Sequence, residues 1–171
     1  MTIHSGHPFA SEPDDVRRFR GRLGGAVTLW TTGEGRSRAG LTITSLMVAN
    51  GERPRVLALV DPDSDLHDGV ETSGRCVVQV LGWRDRALAE MFAGTAPAPG
   101  GAFAHADWEQ TEWGPRLTTA TAWAYAVRLD ERPMGWSVEL ACELVACHVV
   151  AETEPALGHR RGRFLALGSG T

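Results

Sequence analysis

Apolar and polar positions alternate along much of the chain. In "GLTITSLMVAN" (40–50), Leu41 and Ile43 alternate with Thr42 and Thr44, and the apolar set resumes at Leu46 and Val48 after Ser45. That period of two predicts a strand over 38–48. Before it come a strand in "AVTLWTT" (26–32) and a hairpin turn in "GEGRS". Two continuous apolar runs, "RVLALVD" (55–61) and "RCVVQVLG" (75–82), predict buried strands. In "TAWAYAVRLD" (121–130), Trp123, Tyr125, Val127 and Leu129 share one face, and Ala122, Ala124 and Ala126 the other. In "WSVELACELVACHVV" (136–150), Trp136, Val138, Leu140, Cys142 and Leu144 oppose Ser137, Glu139, Ala141 and Glu143. A short last strand lies in "RGRFLALG".

Three segments carry helix punctuation instead. "DDVRRFRGRL" has acids in its first turn and stops at Gly24-Gly25. "DPDSDLHDGVETSG" offers Asp63 or Ser64 as a cap and Gly74 as a stop. "WRDRALAEMFAG" places Leu88, Met91 and Phe92 on one face. About seven strands that mostly follow one another directly predict a mainly antiparallel β-barrel with short helices, not a doubly wound sheet. The Gly/Pro/Ala-rich excursion over 94–120 reads as a lid, a binding loop or a disordered segment. The alanine face of 121–128 reads as room for a flat ring or a second subunit.

Bulk quantities narrow the classes. A chain of 171 residues favours one domain, placed at 16–171 after a flexible tail over 1–15. A net charge of −4 argues against a nucleic-acid partner. No run of about 18 apolar residues predicts a membrane span. The start, "MTIHSGHPFASEPDD", has no basic region leading into an apolar stretch, so no secretory signal and a cytoplasmic location are expected. Cys76, Cys142 and Cys147 form no CxxC pair and sit in apolar runs, which predicts buried, reduced thiols.

Familiar chemical motifs are missing. No GxGxxG follows a strand, and no P-loop, GxSxG or HExxH is present. None of the six histidines pairs with another at metal-ligand spacing, so no metal site is predicted, and His148 reads as a core or edge residue. Glu139 and Glu143 read as a solvated strand face. No nucleophile–base pair stands out and no catalytic residue is assigned; an enzyme with this sequence would take its chemistry from a cofactor.

The order of "FRGRLGGAVTLWTT", "AGLTITSLMVAN", "RPRVLALVDPDSDLHDGVETSGRCVVQVL", "LAEMFAG" and "HRRGRF" resembles the flavin reductase-like, FMN-binding split β-barrel family over about residues 19–168. The resemblance implies an antiparallel split barrel acting as a homodimer, with flavin in a cleft between subunits. It implies NAD(P)H-dependent reduction of FMN, or of FAD or riboflavin as an exchanging flavin, with a monooxygenase as a possible recipient of the reduced flavin. Flavin binding without reductase activity, or a non-flavin ligand on the same fold, are the alternatives. By the same resemblance, Thr42, Ile43, Thr44, Ser45 and Leu46 border the flavin, and Asp61, Ser64, Asp65 and Leu66 border its phosphate. Leu66 stands where the family has a threonine, and Asp63 and Asp65 flank Ser64, so an arginine must compensate or the phosphate must lie elsewhere. Arg36, Arg38, Arg160, Arg161 and Arg163 are the candidates, with Arg163 the one assigned. Trp136 and Ser137 stand where family reductases carry an acid and a histidine by the nicotinamide, which assigns Trp136 to substrate binding.

Overall fold

A computed structural model describes residues 15–168; most of the predicted tail, 1–14, lies outside the described residues, as do 169–171. The first half runs α1 (Asp15–Leu23), β1 (Gly25–Ala26), β2 (Thr28–Thr32), β3 (Ala39–Ile43), β4 (Leu46–Ala49), β5 (Arg55–Val60), α2 (Asp65–Ser73), β6 (Arg75–Val80) and α3 (Arg86–Phe92). After a 3-10 turn at Ala102–His105 come the strands β7 (Trp108–Thr111), β8 (Gly114–Leu117), β9 (Ala122–Met134), β10 (Ser137–Val149), β11 (Ala156–Arg160) and β12 (Arg163–Leu167). The expected mainly antiparallel barrel with three short α-helices is what forms.

The main sheet has the order β3-β2-β6-β9-β10-β5-β4, antiparallel throughout. Its two edge strands, β3 and β4, are consecutive in sequence. The single strand predicted over 38–48 is therefore two, and Thr44–Ser45 carry the chain from one edge to the other. The sheet curls until its edges meet at that joint, where Leu59 N–H donates to the Ser45 carbonyl at 2.9 Å. Curling brings the two edge strands together without pairing them, so the barrel is split at this seam.

The barrel interior holds Trp30, Ile43, Val56, Val60, Val78, Leu140 and Leu144, and α2 lays Leu66 and Val70 against them. Ala124 and Ala126 belong to this interior, so the alanine face does not present itself to a ring or a second subunit. The reason is size complementarity. Trp30 pairs with Val78, and Val78 with Ala124, so one row across three strands sets the largest side chain near the smallest.

A second core lies outside the barrel wall, built from Leu29, Leu81, Leu88, Phe92, Leu117 and Leu157. The 94–120 excursion packs Ala102, Phe103, Ala106 and Trp108 against it, and its second part is ordered as the β7–β8 hairpin. A polar lock docks that hairpin. Buried Gln79 donates to Thr31 Oγ1 (3.0 Å) and accepts from Leu117 N–H (2.5 Å), while Thr31 donates to the Pro115 carbonyl (2.5 Å). Gly114, at φ 133, brings its backbone so close to Thr32 that a Cβ would stand 2.8 Å from Thr32 Cα. Among the cysteines, Cys76 and Cys142 are buried, but Cys147 is exposed. A β-bulge between Leu144 and Ala146 shifts the parity of β10 and sets Cys147 opposite Ala124, near the exposed end of the strand.

Candidate functional site

A cleft of about 490 Å³ opens at the seam of the barrel, within the usual range for small-ligand sites. Thr44, Ser45, Leu46 and Met47 form one wall, and Leu57 and Leu59 of β5 form its floor. The far wall comes from Arg20 and Leu23 of α1 and from His159 of β11. α1 is pinned there by the β11–β12 turn, where Arg161 N–H donates to the Gly21 carbonyl (2.8 Å) and Arg160 Nε to the Arg22 carbonyl (3.0 Å). Arg161 and Gly162 both take positive φ, the geometry of a two-residue hairpin turn. Met134 and Glu139 complete the rim.

The three hydroxyls of the "TITS" stretch have different fates. Thr42 is buried and donates to the Ala89 carbonyl of α3 at 2.8 Å, so its hydroxyl fastens helix to sheet. Ile43 points into the barrel core. Thr44 and Ser45 line the cleft, and neither hydroxyl has a hydrogen-bond partner among the described residues. The cleft is thus an apolar slot with two available hydroxyls on one edge.

The 61–66 loop is built otherwise. Ser64 caps α2: its hydroxyl accepts from His67 N–H (3.3 Å) and donates to the Asp61 carbonyl (2.7 Å). Asp61 Oδ1 takes the Asp63 N–H at 3.0 Å. Leu66 is fully buried in the barrel core, and neither it nor Asp61, Ser64 or Asp65 lines the cleft. Arg163 is exposed at the start of β12 and also stands outside the cleft lining. Trp136 is 64% exposed, beside the Gly135 turn that joins β9 to β10, and is not among the lining residues either.

Charges around the cleft are specific. Glu139 is held by Arg132 in a two-point pair (2.9 and 3.0 Å), and Glu143 by Arg53 at 2.6 Å, so this strand face is ion-paired rather than simply solvated. Burial, and then the Arg20 charge, hold the His159 imidazole below its ordinary value, which keeps the ring neutral at pH 7. Sequence reading missed His159, Met134 and the α1 wall. "HRRGRF" supplied its signal for His159 only as part of an ordered motif, and nothing local marks α1 as a cleft wall. His148 is exposed near the end of β10, a strand inside the main sheet, and stacks on Trp123 with centroids 5.1 Å apart.

With this geometry in place, comparison with known proteins identifies the class. The sequence profile of the family described as "Flavin reductase like domain" matches residues 20–168, and the chain belongs to that family. It is 28% identical over 136 residues to the FMN reductase (NADH) RutF of Stutzerimonas stutzeri (strain A1501), covering 79% of this chain and 78% of the relative. In fold it is similar to the Streptomyces globisporus C-1027 NADH:FAD oxidoreductase SgcE6, solved with NAD and FAD fragments (TM-score 0.78, 22% identity, 90% of this chain and 91% of that one). BorF, the flavin reductase component of a bacterial two-component tryptophan halogenase, has the same fold (TM-score 0.78, 21% identity, 91% and 98% covered).

Proposed function

We propose that the chain is an NADH-dependent flavin reductase that binds its flavin in the seam cleft. The observation that carries this reading is the pair of unengaged hydroxyls, Thr44 and Ser45, on the edge of an apolar slot in a member of this family. When bound, flavin supplies the redox chemistry, accepting a hydride from the nicotinamide. The protein's part is orientation and exclusion of water. Leu46, Met47, Leu57 and Leu59 offer apolar contact to the ring faces, and Thr44 and Ser45 offer hydrogen bonds to its polar edge. Thr42 and Ile43 hold that strand in place from behind. Trp136, exposed near the rim, is the planar surface offered to the nicotinamide.

These residues fit the flavin ring, but the 61–66 loop does not fit its phosphate. The Ser64 hydroxyl is committed to the helix cap, and Asp61, Asp63 and Asp65 surround it with negative charge. Arg20 lines the cleft wall and Arg163 is exposed at the start of β12, and these two are the cations we assign to a phosphate arm. A flavin held by its ring alone exchanges readily, which suits a reductase that passes reduced flavin to a partner monooxygenase. Support for that partner is the same fold in BorF. Met47 and Met134, exposed at the cleft mouth beside Val48, support a homodimer in which a second subunit closes the slot. No helix among the described residues is long and apolar enough to cross a membrane, and the three unpaired cysteines suit a reducing, cytoplasmic setting.

The test is a flavin titration followed by NADH oxidation. Saturable binding of FMN or riboflavin with flavin-dependent NADH consumption is expected. Binding without NADH consumption would favour a flavoprotein with another electron donor, and no binding at all would overturn the assignment.

A further inference from the structure

α2 carries a cluster that flavin reduction does not use. His67 and Glu71 are four residues apart and so share a face of the helix, with Asp68 beside them. One ligand atom from each of the three lies within 4.8 Å of the others. None of them lines the flavin cleft.

The two nitrogens of His67 are treated differently. Nε2 stands 3.1 Å from Glu131 Oε2 on β9, and Glu131 also meets Arg128 Nη2 at 3.3 Å. The carboxylate at Nε2 favours the tautomer that carries its ring proton there. Nδ1 then presents a lone pair. That atom is buried and has no hydrogen-bond partner, and the nearest charge, Asp68 Oδ1, is 3.7 Å away, beyond hydrogen-bond reach.

We propose that His67, Asp68 and Glu71 bind one divalent transition-metal cation, Zn²⁺ being the probe of choice, with Glu131 positioning the imidazole. A carboxylate on the distal nitrogen is the usual support of a metal-bound histidine, since it selects the tautomer and aims the ring. Ligands at about 2.0–2.3 Å from one zinc ion stand about 3–3.5 Å apart. Asp68 and Glu71 are exposed, so their carboxylates can close from the present spacing by side-chain rotation alone. One imidazole and two carboxylates suit a borderline cation better than Mg²⁺ or Ca²⁺, which prefer all-oxygen shells. The two carboxylates balance its charge, and water fills the remaining positions. Such an ion would fasten α2 and, through Glu131, β9, which makes it a structural site.

The experiment uses the full chain stripped with chelator and titrated with Zn²⁺ by calorimetry, with Co²⁺ absorption as a readout of coordination. One Zn²⁺ per chain is expected, with a rise in melting temperature. Asp68→Asn with Glu71→Gln should weaken binding at least tenfold without loss of fold, because both residues are exposed. Glu131→Gln should weaken it severalfold, and His67→Gln should abolish it and the Co²⁺ bands. Replacement of His4 and His7 should leave binding unchanged. Absence of a one-to-one Zn²⁺ event in the wild type, or equal affinity in the Asp68→Asn/Glu71→Gln variant, overturns the proposal. So does loss of binding with His4 and His7.

Discussion

Two short stretches of this molecule place hydroxyls where one element gives way to the next, and they use those hydroxyls in opposite ways. At the seam, Thr44 and Ser45 cross from β3 to β4 with their side chains unengaged. Between β5 and α2, Ser64 spends both of its hydrogen-bonding functions on the backbone around it. The difference is topological. A helix start leaves N–H groups without intrahelical partners, and the nearest hydroxyl is drawn into serving them. A crossing between sheet edges makes no such demand, because its backbone is already taken up by β5, as the Ser45 carbonyl shows. A hydroxyl is open to a ligand where the local backbone has no prior use for it.

The largest expected effect tests the seam. Replacing Thr44 and Ser45 together by Ala should weaken flavin affinity by about 1–3 kcal/mol, the cost of lost polar partners, while the melting temperature stays put. Unchanged flavin titration would erase the contrast. Ser64→Ala should do the reverse, lowering stability by about 1 kcal/mol through loss of the cap with little change in flavin affinity. Thr42→Val belongs with Ser64 despite its place in the "TITS" stretch: about 0.5–1.5 kcal/mol of stability should go with its bond to α3. Denaturant midpoints beside flavin titrations separate the three.

Smaller effects sharpen the acidic side. Asp63→Asn with Asp65→Asn should tighten FMN by about 0.5–1 kcal/mol and riboflavin hardly at all, since only FMN carries a phosphate to repel. The gain should shrink with salt, because exposed charges are screened over about 10 Å at 0.1 M. Equal shifts for both flavins would show that the phosphate arm never approaches this loop. The smallest effect concerns His159, whose folded value is depressed below 6.5. As pH falls through 6.5 the unfolded chain takes a proton that the folded chain refuses, so stability drops until the folded value is passed. In His159→Gln that part of the acid-side slope should flatten, as thermal melts across the range would report.

Much of the barrel was legible because it rests on periodicity. The strands at 26–32, 55–61, 75–82, 121–130 and 136–150 all appear, within a few residues at their ends. What periodicity cannot convey is which face turns inward. Ala124 and Ala126 point to the core because Trp30 needs the space, a fact spread over three strands. The pairing of Cys147 with Ala124 depends on a bulge, and the docking of 94–120 on Gln79, a polar residue inside an apolar run. At the site, the break in alternation at Thr44–Ser45 was visible, and it marks the seam. The wall supplied by α1 and His159 was not, because it forms only when the β11–β12 turn reaches back to Gly21. His67 was passed over for want of a second histidine, although its partner for tautomer choice, Glu131, lies far along the chain.

Because the barrel closes where the cleft opens, β4 is held to the sheet by β5 alone and exposes Met47, Val48 and Ala49 to solvent. Its amides should exchange with deuterium sooner than those of β6 or β9, which have neighbours on both sides. A ligand in the slot would lie along this strand and slow its exchange selectively. The seam therefore gives the molecule a native kinetic gauge of occupancy, readable without a chromophore and without turnover.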